Sequence, residues 1–255
     1  MDKSVTTPAP VLAGKIALVT GGSRGIGAAI VERLARDGAD VAFTYVSAEA
    51  RARDTARAVE ALGRKALAIR ADSADPDAVA QAVQRTIAAF GRIDILVNNA
   101  GIFHAAPLEE LSTADFDRTM AINVRAAFVA AREAAAAMPS GGRIVNIGSN
   151  LAVRAFGPGL TLYTASKAAI AGLTQALARD LGPRGITANV VHPGSTDTDM
   201  NPADGPGAAH QTAMMASAGG YAAPADVAAV VAFLASPAAQ SVNGAAWTVD
   251  NGTNA

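Results

Sequence analysis

Two hydrophobic patterns alternate along the chain. Short runs of β-branched and other apolar residues are separated by longer Ala-rich stretches in which apolar residues recur every three or four positions. The first pattern predicts buried strands, and the second predicts helices that pack on a sheet. The predicted strands are 16–20, 41–45, 66–70, 93–98, 143–148, 187–192 and 246–250. This alternation predicts an α/β fold with a seven-stranded parallel sheet and helices on both faces.

The periodic region extends over most of the 255 residues and shows no second domain. We therefore predict a single doubly wound domain at 14–255, preceded by a flexible N-terminal tail at 1–13. Pro, Gly and small residues replace the periodic hydrophobic residues at 201–221, after the sixth predicted strand. Ligands bind at the carboxyl ends of parallel strands, so we predict a substrate-loop insert near 195–223 that covers a pocket. An idle surface loop is the alternative.

Composition narrows the possible partners. Apolar residues make up 51% of the chain and charged residues 17%, which predicts a large buried core. The formal net charge is −1 with no block of Lys or Arg, so we expect neither a nucleic-acid partner nor a membrane partner. The absence of cysteine excludes disulfides, thiolate metal sites and cysteine nucleophiles, and favours a cytoplasmic location. His104 and His192 lack a second ligand at metal spacing, so we interpret them as packing residues and predict no metal.

A glycine-rich turn follows the first predicted strand and leads directly into a helix. It reads TGGSRGIG over 20–27. Such glycines allow the backbone to approach a pyrophosphate, which the positive helix N-terminus then stabilises. Close packing of strand and helix is the alternative role for these glycines. The setting between a strand and a helix favours dinucleotide binding, by Gly21, Ser23, Arg24, Gly25, Ile26 and Gly27.

The glycine spacing, G-x-x-x-G-x-G, resembles that of the short-chain dehydrogenase/reductase family. The resemblance extends from Lys15 to Gly252 and includes Asn98-Asn99-Ala100-Gly101, Asn123, Ser149, Tyr163-x-x-x-Lys167 and Pro193-Gly194. Within the family the chain looks most similar to the 3-oxoacyl-carrier-protein reductases and carbonyl reductases. The resemblance implies an NAD(P)(H)-dependent enzyme with a Rossmann-type domain, strand order 3-2-1-4-5-6-7 and a homotetrameric assembly.

The cofactor preference is predicted from the end of the second strand. A carboxylate there would select NAD(H), but the position holds Tyr45, and Asp40 lies at the other end of the strand. Arg24 and Ser47 flank the place of a 2′-phosphate, so we expect NADP(H) to be preferred over NAD(H). The resemblance adds further cofactor contacts at Asp72, Ser73, Asn99, Ala100, Gly101, Tyr163, Lys167, Pro193, Gly194, Thr196 and Thr198. Asp72 is alternatively a helix cap.

Tyr163 and Lys167 are four residues apart in a predicted helix, which places both side chains on one face. At ~4 Å and an effective dielectric constant of ~20, an ammonium stabilises a phenolate by ~4 kcal/mol, so we expect a lowered pKa for Tyr163. In the mechanism that the resemblance implies, Ser149 binds the substrate oxygen and Tyr163 donates the proton. Lys167 lowers the tyrosine pKa and binds the ribose, and Asn123 holds a water.

The gap between Ser149 and Tyr163 is one residue longer than in many relatives, which makes Asn150 the alternative to Ser149. We place the extra residue in the Gly-Pro-Gly turn at 157–159.

These observations predict an NADPH-dependent reductase of ketones or aldehydes. Arg125, Arg154 and Arg179 are too dispersed to form a basic patch for an acidic carrier protein, which favours a small-molecule substrate. An NAD-dependent alcohol or sugar dehydrogenase is one alternative. A non-catalytic dinucleotide sensor is another, although a sensor would not need the Asn-Ser-Tyr-Lys set. Trp247 is interpreted as a core or subunit-interface residue.

Overall fold

All seven predicted strands form, and they pair in parallel in one sheet of order β3-β2-β1-β4-β5-β6-β7, as predicted. The computed structural model describes residues 10–255. The strands are β1 (Ile16–Val19), β2 (Asp40–Tyr45), β3 (Ala66–Arg70), β4 (Ile95–Asn98), β5 (Arg143–Ile147), β6 (Thr187–Pro193) and β7 (Ala246–Val249). The central strands β1, β4, β5 and β6 are buried along their whole length, because helices cover both faces.

Helices fill the connections between the strands. They are α1 (Gly25–Arg36), α2 (Glu49–Ala61), α3 (Pro76–Phe90), α4 (Thr113–Met120), α5 (Ala126–Ala137), α6 (Thr161–Leu181), α7 (Ala208–Ala213) and α8 (Pro224–Ala235). On one face of the sheet, Ile30 and Leu34 of α1 share a core with Val231 of α8. On the other face, Val83 of α3 packs in a core with Ala130 of α5. The domain is therefore doubly wound.

The sheet topology determines where a ligand can bind. The chain moves outward from β1 to β2 and β3, and then returns to pair β4 with the other edge of β1, where Val19 is aligned with Val97. The connections that follow β1 and β4 consequently continue to opposite sides of the sheet and leave a crevice at its carboxyl edge. The glycine turn and the Asn98–Gly101 segment lie together at this edge, where Asn99 Nδ2 donates to Thr20 O.

The structure bears on two further predictions, the N-terminal tail and the substrate-loop insert. Residues 1–9 of the predicted tail lie outside the described residues. The prediction of a flexible tail is wrong for residues 10–13, because Leu12 is fully buried and its N–H donates to Asp37 O at 2.7 Å. The predicted insert contains the short helix α7 among turns and bends.

Among residues 10–255, no helix is long and apolar enough to cross a membrane.

Candidate active site

A cavity of about 740 Å³ opens at the carboxyl edge of the sheet. Of the predicted site residues, Asn123 alone does not line it. The lining set comprises Gly21, Ser23, Arg24, Gly25, Ile26, Gly27, Tyr45, Ser47, Asp72, Ser73, Asn99, Ala100, Gly101, Ser149, Tyr163, Lys167, Pro193, Gly194, Thr196 and Thr198. The residues singled out for cofactor binding and those singled out for chemistry therefore share one cavity.

The glycine turn is held tightly against the loop that follows β4. Asn99 Nδ2 donates to Thr20 O at 3.0 Å and to Gly21 O at 3.1 Å, and Gly21 has a φ of 69°. A Cβ at Gly27 would lie 2.1 Å from Gly21 O and 2.6 Å from Asn99 Nδ2. Only glycine fits there, so the turn can place its backbone against a ligand.

The first turn of α1 has the chemistry of an anion site. Arg24 is the N-cap residue of α1 and forms no capping hydrogen bond with its side chain. Ser23, Gly25 and Ile26 line the cavity at this point. An uncapped helix N-terminus that faces a cavity presents N–H groups and a positive dipole end, which suits a pyrophosphate. The residues present therefore fit a dinucleotide.

The end of β2 carries no carboxylate. Tyr45 and Ser47 line the cavity, whereas Asp40 lies at the start of the strand and accepts a hydrogen bond from Lys65 N. A carboxylate from another segment lines the same cavity: Asp199 Oδ2 is 3.5 Å from Arg24 Nη1 and also pairs with Arg51. Sequence reasoning missed Arg51 and Asp199, because these residues are distant in the chain and belong to no motif.

Tyr163 and Lys167 lie on the same side of α6 and line the cavity, Lys167 buried and Tyr163 partly buried. The Ser149 side chain interacts with the Tyr163 side chain and lowers its pKa. Lys167 Nζ donates to Ile147 O at 3.0 Å and lies 5.6 Å from the centroid of the Tyr163 ring. The phenol thus has a hydroxyl and a buried ammonium as neighbours.

The predicted lowering of the Tyr163 pKa is not what this structure gives. Burial raises the pKa of Tyr163 above 10.0, and the hydrogen bond from Ser149 opposes that rise only in part. Burial also lowers the pKa of Lys167 to about 8. The prediction was wrong because it counted the attraction between the two charges and omitted the cost of removing them from water.

Asn123 lies behind the cavity wall, in a π-helical turn (Ala121–Arg125) that joins α4 to α5. Its Oδ1 accepts from Ile102 N at 2.8 Å, and its Nδ2 donates to Ile102 O and to Ser166 Oγ, each at 3.0 Å. The side chain therefore connects the loop after β4 to α6. A π-turn interrupts the regular backbone pairing of a helix, which is common at functional sites.

Ser149 is held in place by two neighbours. Its Oγ accepts from Leu151 N at 3.2 Å, and its own N–H donates to His192 Nδ1 at 3.1 Å. Asn150 is also buried and lines the cavity, and its backbone carbonyl oxygen accepts from Asn254 Nδ2 at 3.0 Å near the end of the chain. The contact with Tyr163 is made by Ser149. The loop that follows contains a turn at Gly159, whose φ is 80°.

Several other predicted residues have structural contacts. Asp72 Oδ1 accepts from Ala74 N at 2.9 Å, and the α3 cap is Asp75 rather than Asp72. Asn98 Nδ2 donates to Asn146 Oδ1 at 2.8 Å and so ties β4 to β5. Thr196 Oγ1 donates to Gly194 O at 3.1 Å.

The remaining singled-out side chains lie away from the cavity or on its rim. His104 Nε2 is 3.8 Å from Asp115 Oδ1 at the surface. No group of three potential metal ligands occurs in the described part of the chain. Arg154 lies over the Phe156 ring, and Arg125 donates to Ala74 O.

The substrate side of the cavity has walls that the sequence did not reveal. Its apolar residues come from three segments, the loop after β4, the loop after β5 and the insert: Ile102, Phe103, Leu151, Phe156, Leu160, Met200 and Met214. Phe103 packs edge to face on Tyr163 with ring centroids 4.9 Å apart. His210 and Gln211 of α7 also line the cavity, so the insert forms part of its wall.

Comparison with known proteins agrees with this geometry. A family model described as Enoyl-(Acyl carrier protein) reductase matches residues 21–254. The cyclic-di-GMP-binding biofilm dispersal mediator protein of Escherichia coli is 47% identical over 237 residues, which cover 93% of this chain and 96% of that protein. The hydroxynaphthalene reductase of Aspergillus fumigatus is 40% identical over 246 residues, with coverage of 91% and 90%.

A solved structure extends the comparison to the whole fold. The crystal structure of a short chain dehydrogenase from Burkholderia cenocepacia in complex with NADP has 59% sequence identity and a TM-score of 0.94. The match covers 96% of this chain and all of that chain. With the family model, this places the chain in the short-chain dehydrogenase/reductase family of NAD(P)-dependent oxidoreductases.

Proposed function

We propose that this protein is an NADPH-dependent reductase that converts a small ketone or aldehyde to an alcohol, with Tyr163 as the proton donor. The observation that carries the proposal is the position of the Tyr163 phenol. The Tyr163 side chain interacts with that of Ser149, lies near buried Lys167 and lines the same cavity as the glycine turn. Proton transfer at a site next to a dinucleotide cradle is what carbonyl reduction requires.

The cavity supports NADP(H) as the cofactor. The glycine turn and the uncapped N-terminus of α1 would hold the pyrophosphate, and Tyr45, Ser47 and Arg24 would surround the adenosine ribose. Asp72, Ser73 and the loop after β4 would contact the adenine side, and Pro193 to Thr198 the nicotinamide side. The Burkholderia cenocepacia relative was solved with NADP. When bound, the cofactor supplies the hydride that goes to the carbonyl carbon.

The protonation states favour reduction. Burial raises the pKa of Tyr163, so the phenol carries its proton at neutral pH and can give it to the oxygen of a reacting carbonyl. Ser149 would orient that oxygen. Lys167, whose pKa is about 8, remains mostly charged at neutral pH and stabilises the phenolate that proton transfer leaves behind. Asn123, in its π-turn, would hold a water that returns a proton through Lys167.

The surface of the protein supports a hydrophobic carbonyl substrate and a homotetrameric assembly. The apolar walls of the cavity fit a carbonyl compound with a hydrophobic body.

Trp247 is 36% exposed and packs against Phe233 with ring centroids 5.4 Å apart, which supports burial of this apolar patch in a homotetramer. A cytoplasmic location remains our proposal, supported by the absence of cysteine.

A sensor role deserves a direct test, because the Escherichia coli relative carries the name of a cyclic-di-GMP-binding protein. Retention of Ser149, Tyr163 and Lys167 around one cavity favours catalysis, since ligand sensing does not need a proton donor.

The testing experiment measures oxidation of NADPH and of NADH by absorbance against ketones, aldehydes, a 3-oxoacyl thioester and an enoyl thioester. Tyr163→Phe is the matched control, because it removes one oxygen and leaves the ring in place. We expect turnover of a carbonyl compound with NADPH that is lost in Tyr163→Phe, while NADPH binding persists. Dinucleotide binding without turnover of any compound would instead support the sensor. Turnover of the enoyl thioester alone would overturn carbonyl reduction.

A further inference from the structure

Three charged side chains meet beside the cofactor end of the cavity although they are far apart in the sequence. Arg24 belongs to the glycine turn, Arg51 to the first turns of α2, and Asp199 to the segment after β6. Asp199 Oδ2 is 3.5 Å from Arg24 Nη1 and pairs more closely with Arg51 Nη1. The contacts span 175 and 148 residues of sequence. Only tertiary structure brings these groups together.

The cluster contributes little to stability. The three side chains are 60%, 55% and 52% exposed for Arg24, Arg51 and Asp199. Exposed ion pairs of this kind add little to stability, because water and salt screen the charges. The other paired arginines of α2 use carboxylates of their own helix, Arg53 with Glu49 and Arg57 with Asp54. Arg51 differs because it points across to the segment after β6.

The position of the cluster matches a phosphate monoester. Arg24, Ser47 and Asp199 line the cavity, and Arg51, which is not a lining residue, pairs with Asp199. Two guanidinium groups and one carboxylate leave a net charge of +1. A phosphate monoester carries about −1.5 to −2 at neutral pH and can accept from both guanidinium groups. The hydrogen bond and charge of Arg51, together with Arg24, lower the pKa of Asp199, so its carboxylate is ionised and would repel that phosphate.

We propose that Arg24 and Arg51 form a two-arginine site for the 2′-phosphate of NADP(H), and that Asp199 is the internal counter-ion which this phosphate displaces. The inference rests on the proposed function, because it concerns the same cofactor. It assigns Arg51 as a specificity-determining residue. NADH lacks the 2′-phosphate and would leave the Asp199 contacts intact.

Displacement of Asp199 would reach the substrate side. Asp199 lies next to Thr198, whose Cγ2 is 3.3 Å from the position of a Cβ on Gly25, so the segment packs on the glycine turn. Asn201, two residues further on, forms two hydrogen bonds of 3.0 Å with Gln211 of α7. Loss of the Asp199 contacts therefore loosens a segment that leads directly into the cavity wall. NADP(H) would release this segment, and NAD(H) would not.

The test uses the full chain and measures dissociation constants of NADPH and NADH by calorimetry. Arg51→Gln removes one cation from the phosphate site, and Asp199→Asn removes the competing charge at nearly constant shape. Arg53→Gln on the same helix and exposed Asp204→Asn in the same segment are matched charge controls. Amide hydrogen exchange of residues 194–214 gives a second readout that does not depend on turnover.

We expect Arg51→Gln to weaken NADPH binding by about tenfold or more and to change NADH binding by less than about twofold. The variant removes a charge-assisted hydrogen bond to the 2′-phosphate, and NADH has no such phosphate. Asp199→Asn should strengthen NADPH binding by about threefold to tenfold and accelerate exchange over 194–214. Both controls should resemble the wild type.

The outcomes separate the two proposals. If the wild type binds neither dinucleotide, the proposed function fails and the inference fails with it. If the wild type prefers NADPH but Arg51→Gln affects both dinucleotides equally or neither, the inference alone is overturned. Weaker NADPH binding by Asp199→Asn would also overturn it, since Asp199 would then support the phosphate site instead of competing with the phosphate.

Discussion

The backbone N–H of Ser149 donates to Nδ1 of His192 across 3.1 Å. The bond joins the segment just after β5 to the last residues of β6. His192 is 2% exposed, and its ring lies so close to Gly148 that a Cβ there would be 2.3 Å from Nδ1. An Nδ1 that accepts a hydrogen bond requires the tautomer with its proton on Nε2. Burial, together with the charge of Lys167, lowers the pKa of His192 and keeps the ring neutral. His192 is thus a positioning residue for Ser149.

His192→Phe keeps a ring of similar size and removes the acceptor. We expect the free energy of unfolding to fall by about 1–3 kcal/mol, because the buried N–H of Ser149 loses its partner. We also expect kcat to fall while the NADPH dissociation constant stays unchanged. Urea unfolding and steady-state kinetics measure the two effects. His104→Phe, at the surface where His104 Nε2 is 3.8 Å from Asp115 Oδ1, is the control. A fall in stability with unchanged kcat would restrict His192 to a structural role.

The buried ammonium of Lys167 predicts a conflict between stability and activity. Its pKa of about 8, against 10.5 for an ordinary lysine, corresponds to a burial cost of about 3 kcal/mol for the charged form. Between pH 8 and pH 10.5 the unfolded chain holds a proton on Lys167 that the folded chain has lost. The burial cost therefore lowers stability in full below pH 8 and disappears as the pH rises through 10.5.

We therefore expect Lys167→Met to raise the free energy of unfolding at neutral pH by about 1–3 kcal/mol, less than the full cost because Ile147 O loses a donor. This gain in the free energy of unfolding should shrink as the pH approaches about 10. The variant should also lose carbonyl reduction. Urea unfolding at both pH values tests the prediction, with exposed Lys65→Met as the control. A gain that is independent of pH would contradict burial of a charged lysine.

Burial of Lys167 shows which features of the protein could be predicted from the sequence and which could not. Strand positions, strand order and the cavity location follow from local hydrophobic patterns and from motif resemblance, because those signals lie within a few residues of each other. Burial is a property of the whole fold, so the pKa directions of Tyr163 and Lys167 could not be obtained from their spacing alone. The pairing of Arg51 with Asp199 was equally hidden, since 148 residues separate two exposed charges that belong to no motif.

Ser149→Ala and Asn150→Ala distinguish the two candidates for the substrate-binding residue. The Ser149 side chain interacts with Tyr163, whereas the contact of Asn150 with Asn254 is made by its backbone carbonyl, which Asn150→Ala keeps. We expect Ser149→Ala to lower kcat by about 10²–10³, the usual cost of losing a donor to the reacting oxygen. Asn150→Ala should lower kcat by less than about tenfold. Near-normal turnover in Ser149→Ala, together with loss of turnover in Asn150→Ala, would reverse the assignment.

A small polar network fixes the insert over the cavity. Ser195 Oγ donates to Gln211 Oε1 at 2.5 Å, and Gln211 and Asn201 exchange two further hydrogen bonds of 3.0 Å. The network joins α7 to the end of β6, and Met214 and His210 line the cavity beside it. An α-helix of six residues is too short to be stable without such contacts.

Gln211→Leu removes all three contacts at nearly constant volume, so α7 should detach from the segment after β6. We expect the KM for the carbonyl substrate to rise by about fivefold to fiftyfold, since two or three partly buried hydrogen bonds contribute about 1–2 kcal/mol to the closed arrangement. The NADPH dissociation constant should stay within about twofold, because the network does not contact the glycine turn. Exposed Gln84→Leu on α3 controls for the change in surface polarity. An unchanged KM would show that the insert does not take part in substrate binding, and an equal loss of NADPH binding would show that the insert supports the whole cavity.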